Sequence, residues 1–340
     1  MIIPVSLLFI FFSLLFIIGK SEQESKSSLL VLLIIWVVLS LIAAFRPENM
    51  ADRDNYLLFW HGWGEERFEI GFSLFANILK KINSSFYFFL FASAALSVGI
   101  KLFAICRITP LIWGTLVIYI SNLFVLHDMI QIRCAIASGL LLHAVYYIVN
   151  KDLKSFIIVS SVAFLCHYSA AVIFPLWFLN AQKTRKIIFF SLIILSYTLA
   201  LLGFSITNLI EIVPIVGIQS RWTIYQNVID ESANIFGYVQ LCRIAICIFI
   251  GIYLDAIAVK NKYAILLWKI YVISISVLPL CMDIQVVAYR VSQFYQVVEF
   301  VLIPMIIYVN RFTLFFKRLL IVLIGLSFLL MTIYVYEHLK

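Results

Sequence analysis

The chain has 340 residues, 64% hydrophobic and only 12% charged, with a mean hydropathy of +1.08 and a formal charge of +8. Soluble domains carry roughly 25% charged residues, so this composition excludes a water-soluble domain and specifies an all-α, polytopic integral membrane protein. The surplus of Lys and Arg sits in short connections between apolar runs, where it sets orientation and gives no reason to expect nucleic acid as a partner.

A helix needs about 20 apolar residues to cross a bilayer. In chain order the candidate spans are 3–19, 28–45, 86–105, 109–126, 133–149, 155–180, 187–203, 238–258, 264–282, 291–309 and 319–336. They predict about 11 transmembrane helices in one integral domain, 1–340. The first has no basic stretch before it, and Gly19-Lys20-Ser21-Glu22 is a poor cleavage site, so it is expected to be a retained span. Two longer polar segments interrupt the series, 46–85 and 204–237. Cys106, Cys134, Cys166, Cys242, Cys247 and Cys281 lie in or beside apolar runs without a C-x-x-C pair. They indicate neither a disulfide framework nor a metal site.

Orientation follows from the basic connections. Those holding Lys20/Lys26, Lys101/Arg107, Lys151/Lys154, Lys183/Arg185/Lys186, Lys260/Lys262 and Arg311/Lys317/Arg318 contain only Glu22, Glu24, Asp152 and Asp255 as acids. The positive-inside rule puts them in the cytoplasm and segments 46–85 and 204–237 on the opposite face. One step breaks the alternation, because a single crossing at 155–180 would send Lys183, Arg185 and Lys186 outside. A helix of that length would reach about 39 Å, against a hydrocarbon core of about 30 Å. Two half-helices meeting near Cys166-His167-Tyr168 fit better, as a re-entrant hairpin with His167 at its tip; a steeply tilted single helix is the alternative. Broken backbone at such depth must be buried in protein or line a wet cavity.

Unusual polar residues then collect on the outer face. The segment "RPENMADRDNYLLFWHGWGEERFEIGFSLF" supplies Asp52, Arg53, Asp54, Tyr56 and Glu69, while Arg133 and Arg290 stand at the outer starts of two spans. From Arg290, helical spacing continues through Gln293 and Gln296 to Glu299, a stripe that should face protein or water. Each residue also has an ordinary role open to it. Arginines at span ends snorkel to the interface, and a buried histidine commonly donates to a carbonyl. Tyr56, Trp60 and Trp63 suit an interfacial belt as well as a sugar platform, and Arg221 in the second loop suits solvent as well as an anionic substrate. Asp52-Arg53-Asp54 spells D-x-D, too short a pattern to specify a metal. His61, His127, His143 and His338 have no partner that the sequence identifies. Taken together, two arginines, a histidine, an aspartate and a glutamate on one face fit an anionic, lipid-embedded substrate, and guanidinium forks suit a pyrophosphate.

The stretches "DRDNY", "EIGFSLF", "IRCAIASGLLLHA", "AFLCHYSAAVIFP" and "YRVSQFYQVVEFVLIP" occur in that order over residues 46–310. The series resembles the successive motifs of the EpsG/Wzy-type polysaccharide polymerases. On that resemblance the family's outer-loop Asp and Tyr fall on Asp52 and Tyr56, and its Glu-x-Gly-[Phe/Tyr] on Glu69-Ile70-Gly71-Phe72. Its arginine motif falls on Ile132-Arg133 through Ala137, its Phe-x-His on Leu165-Cys166-His167, and its late arginine on Arg290. Cys134 departs from the usual glutamine, with Gln131 as an available substitute, and Phe164 is one residue further from His167 than the pattern has it.

The resemblance implies a GT-C-like glycosyltransferase of the bacterial cytoplasmic (inner) membrane with its site facing outward. It would join undecaprenyl-pyrophosphate-linked oligosaccharides in O-antigen or capsule synthesis, moving the growing chain onto the non-reducing end of a new repeat. Besides that substrate and membrane lipid, the expected partner is a chain-length regulator; no cofactor, metal or nucleotide sugar is called for. Arg290 and Arg133 are expected to stabilise the leaving pyrophosphate, and His167, Asp52 or Glu69 to take the acceptor proton. Arg53, Tyr56, Glu69, Gln293, Glu299 and Arg221 are expected to bind substrate. An O-polysaccharide ligase is a weaker expectation, because the late outer loop at 283–290 is short. A flippase is weaker too, since transporters tend to show internal repeats with paired broken helices, and the sequence offers one broken candidate.

Overall fold

The structure, a computed structural model, describes residues 2–19, 29–64, 68–204 and 233–338. The described residues form helices and no strand. In order these are α1 (Ile2–Ile18), α2 (Leu29–Ala44), α3 (Arg53–Trp60), α4 (Ile70–Ile82), α5 (Phe86–Ile108), α6 (Ile112–Ile130), α7 (Ile132–Val149), α8 (Leu153–Cys166) and α9 (Tyr168–Phe178). They continue with α10 (Lys186–Leu201), α11 (Tyr238–Ile252), α12 (Leu254–Lys260), α13 (Ala264–Leu280), α14 (Gln285–Tyr308) and α15 (Leu314–His338).

Each candidate span falls on one of the helices except 155–180 and 238–258, which fall on α8 with α9 and on α11 with α12. Five of these are long and apolar enough to cross a membrane, namely α5, α6, α7, α14 and α15, and the pair α11 and α12, bent by 70°, would make a sixth. The remaining apolar helices have 10–17 residues. Even 17 residues rise only about 25 Å, short of a core about 30 Å thick. The protein is an all-helical membrane protein with five to six such spans among its described residues.

Its interior is built on α6, α7, α13 and α14, where Tyr119, Trp268, Tyr271 and Phe300 are fully buried. The outer helices do the reverse. Leu7, Leu14, Ile34 and Leu330 are exposed on α1, α2 and α15, as expected of helices whose solvent is lipid. The frame encloses the ion pairs Lys101–Asp128 and Arg243–Glu299. The second half of α6, from Tyr119, is wound more loosely than an α-helix and carries Asp128. The Lys101 ammonium of α5 donates to both Asp128 oxygens at 2.7 and 2.6 Å, the Tyr119 hydroxyl at 2.6 Å, and the Ser97 hydroxyl completes the set.

Two local features position the site. The described residues of segment 46–85 form α3 and α4 and pack a ring cluster against α5, with Phe59 stacked on Phe68 at 4.1 Å and Trp60 on Phe89 at 4.9 Å. The run 155–180 breaks where the charge pattern predicted. Helix α8 ends at Cys166, His167 is extended (φ −158°, ψ 116°), and the chain resumes at Tyr168 as a tighter helix of the 3₁₀ type. Lys269 of α13 donates to the carbonyls of Asn180 and Lys183, both at 2.7 Å, and so ties down the turn that follows α9.

Candidate active site

Glu69 is the N-cap residue of α4, in extended conformation and 4% exposed. Its carboxylate gathers three donors from two other parts of the fold. Arg133 Nη1 of α7 donates at 2.6 Å, His167 Nδ1 lies at 3.0 Å, and the Tyr168 backbone N–H donates at 3.3 Å. A carboxylate accepts only, so the His167 proton on this side belongs to Nδ1. The helix break at His167 releases the Tyr168 N–H for the same carboxylate. Gly71 makes the approach possible. A Cβ there would sit 2.8 Å from both the Cβ and the carbonyl oxygen of Leu165, so α4 meets α8 backbone to backbone. Phe72, fully buried, anchors the turn.

Burial alone would raise the Glu69 carboxyl, but the His167 ring and the Arg133 guanidinium outweigh it and hold the group at about 2. Arg133 lies over the Phe68 ring at 4.6 Å and is a hydrogen-bond partner of the Tyr56 hydroxyl. Tyr56 is itself buried, which pushes its phenol up against the opposing pull of Arg133. The guanidinium is thus fixed on three sides, by a carboxylate, a ring face and a phenol. It is pre-organised before any ligand arrives.

The remaining side of Arg133 lines a cavity of about 460 Å³, together with Asp52, Tyr56, Trp63, Phe68 and Arg290. Four residues chosen from sequence therefore converge here: Asp52, Tyr56, Arg133 and Arg290. Asp52 adopts a left-handed conformation (φ 62°) before α3 and is exposed at the cavity, with Asn55 donating to it at 3.3 Å. His167 and Glu69 stand behind Arg133 rather than on the cavity wall.

Other expected residues go elsewhere. Arg53 turns away and is buried, 3.5 Å from Glu48 and over the Phe86 ring. Trp60 is a core residue donating to the Ser84 carbonyl at 3.0 Å, whereas Trp63 is 71% exposed. The polar stripe on α14 does not serve one site. Three residues fall 60° short of a full helical turn, and α14 tightens over Gln296–Val298, so Gln293 and Gln296 turn to a second cavity beside Arg243. Glu299 is buried and accepts from Arg243 Nε at 2.5 Å. Cys134 is buried in the core, and Gln131 reaches Gln293 at 3.4 Å. Arg221 lies outside the described residues.

Partners unseen in the sequence also appear. His127 Nδ1 is 3.2 Å from the Ser138 hydroxyl, and His143 Nε2 is 3.0 Å from the Ile100 carbonyl. Lys101, expected in a basic cytoplasmic connection, instead lies inside α5, fully buried against Asp128, because a cation that deep in an apolar helix needs a buried partner; Arg243 inside "YVQLCRIAICIFIGI" carries the same signal.

Fold and site together define a helical membrane protein in which a buried carboxylate organises an arginine at the wall of an arginine-lined cavity. The chain belongs to the EpsG family, which it matches over residues 29–339. It is similar to the amylovoran biosynthesis protein AmsC of Erwinia amylovora, with 28% identity over 265 residues that cover 72% of this chain and 69% of AmsC. No solved structure matches it.

Proposed function

We propose that this protein is a polysaccharide repeat-unit polymerase, a glycosyltransferase that works on lipid-linked oligosaccharides. Family membership and the likeness to a protein of amylovoran biosynthesis support the class. The single observation that carries the site is the convergence of Arg133, Arg290 and Asp52 on one cavity. In this reading the donor is a growing glycan on undecaprenyl pyrophosphate, and the acceptor is a hydroxyl at the non-reducing end of a second lipid-linked repeat. The acceptor oxygen bonds to the anomeric carbon, the bond from that carbon to the phosphate oxygen breaks, and its electron pair leaves on the pyrophosphate. Arg133 and Arg290 hold that developing charge as fixed, pre-organised cations. Asp52 takes the acceptor proton, since it alone among the three candidate bases lines the cavity. Glu69 and His167 are positioning residues for Arg133.

The cavity faces outward from the bacterial cytoplasmic membrane, with 46–85 and 204–237 as extracytoplasmic loops of a single integral domain. The full topology is that of a GT-C-like enzyme with about 11 crossings and a re-entrant hairpin at His167. A chain-length regulator is its membrane partner. One observation favours transport instead: the 70° bend between α11 and α12 is a second broken helix, and paired breaks mark transporters. That break lies at Tyr253, seven residues before Lys260 in the basic connection, whereas transporter sites lie near the midplane.

The test is turnover of purified protein in detergent with a synthetic undecaprenyl-pyrophosphate oligosaccharide, beside Arg290→Ala and Asp52→Asn. A product ladder from wild type that both folded variants lose supports the polymerase. No ladder, with scrambling of the same lipid in liposomes, replaces it with transport.

A further inference from the structure

Beside α14 lies a second cavity, about 510 Å³ in volume, that shares no lining residue with the first. It runs along α14 from Gln285 to Gln296, a rise of about 16 Å. Its apolar wall includes Val125, Leu126, Phe328 and Met331, and its polar wall carries Asn122, Asn234, Gln240, Gln293 and Tyr289. Arg243 stands at its inner end, 8% exposed. The guanidinium is held through Nε by Glu299 and lies over the Phe328 ring at 5.6 Å. Its two terminal nitrogens make no hydrogen bond to a described residue, so the fork is left for a ligand.

The chemistry of this wall differs from that of the first cavity. Arg243 and Glu299 cancel in charge, and the remaining polar side chains are carboxamides, phenols and the Thr332 hydroxyl, which donate and accept without net charge. Gln240 and Gln296, 4% and 2% exposed, each keep a side-chain oxygen without a hydrogen-bond partner among the described residues. The wall is largely apolar; the carboxamides, phenols and open guanidinium fork set into it suit the hydroxyls of a sugar, its aromatic side chains suit the apolar ring faces, and the cancelled charge disfavours a phosphate.

We propose that this cleft binds the saccharide of a lipid-linked repeat, with the Arg243 fork bonding sugar oxygens and Glu299 as its positioning residue. The proposal rests on the polymerase reading for the identity of its ligand. It gives the enzyme separate sites for pyrophosphate and sugar, on α14 residues as close as Arg290 and Gln293.

The experiment is calorimetric titration of the full-length protein in detergent with two probes. One is the reducing oligosaccharide freed by mild acid from the host strain's lipid-linked intermediate; the other is geranylgeranyl pyrophosphate. Arg243→Gln is expected to weaken oligosaccharide binding at least about tenfold, and Gln293→Ala about threefold to tenfold, with pyrophosphate binding unchanged in both. Arg290→Gln is expected to do the opposite. Should Arg243→Gln fail to fold, Gln293→Ala decides. Wild type that ignores the oligosaccharide, or a Gln293→Ala protein that binds it as wild type does, overturns the proposal. Saccharide binding that behaves as expected in a protein without polymerase turnover refutes the polymerase reading and leaves the cleft assignment standing.

Discussion

Two carboxylates in this protein have the same kind of company and opposite circumstances. Asp128 is wrapped by Lys101, Tyr119 and Ser97, and Glu69 by Arg133, His167 and the Tyr168 N–H. The first cluster is sealed, with both ion-pair side chains at 0% exposure. In the second, Glu69 is buried at 5% but its Arg133 side chain is 22% exposed and forms cavity wall. A buried ion pair is by itself weak evidence for anything beyond structure. What distinguishes the second cluster is that its cation lines a cavity that a second arginine, Arg290, also lines.

The comparison breaks most easily at Asp128. Lys101→Met leaves a buried carboxylate unpaired and is expected to destabilise the fold by about 3–5 kcal/mol, read as a lower thermal midpoint in detergent. The double change Lys101→Met with Asp128→Leu should recover most of that loss, because a neutral, well-packed pair replaces the ions. At the open cluster the order of effects reverses. Arg290→Ala is expected to lower kcat by about 10²–10³ with the thermal midpoint nearly unchanged.

Gly71→Ala sharpens the contrast by moving geometry without touching charge. The added methyl collides with Leu165 backbone, and over-packing of this kind costs about 1–3 kcal/mol; activity should fall further than stability because Glu69 is drawn off His167. The smallest effect is with pH. The Glu69 carboxyl is lowered from 4.5 to about 2, so its contribution to stability is complete above about 4.5 and is lost as pH falls towards 2. The stability difference between wild type and Glu69→Gln should shrink as pH falls below about 4; a difference that stays unchanged down to about pH 2 would contradict the assignment.

Much of this was legible in the sequence. Apolar run lengths located the helices, and one violation of the charge pattern located the break at His167, because both depend on local composition. Glu69, Arg133 and His167 were each chosen as polar groups on the outer face, yet their contact needs α4 to cross α8 at Gly71, a tertiary fact that spacing does not carry. The α14 stripe misled for a related reason. Arg290 and Gln293 lie 60° apart on the helix, enough to face different cavities once other helices pack between. Arg53 was misplaced because neighbours on a short helix point apart, and Arg53 found Glu48 and Phe86 instead of Asp52's cavity.

The most direct test of Glu69 acting through Arg133 is a double-mutant cycle on the initial rate of polymerisation, comparing Glu69→Gln, Arg133→Gln and the pair. If Glu69 serves only to hold the guanidinium, the double variant will be no slower than Arg133→Gln alone. Losses that simply add would show the two residues working independently and would contradict the account.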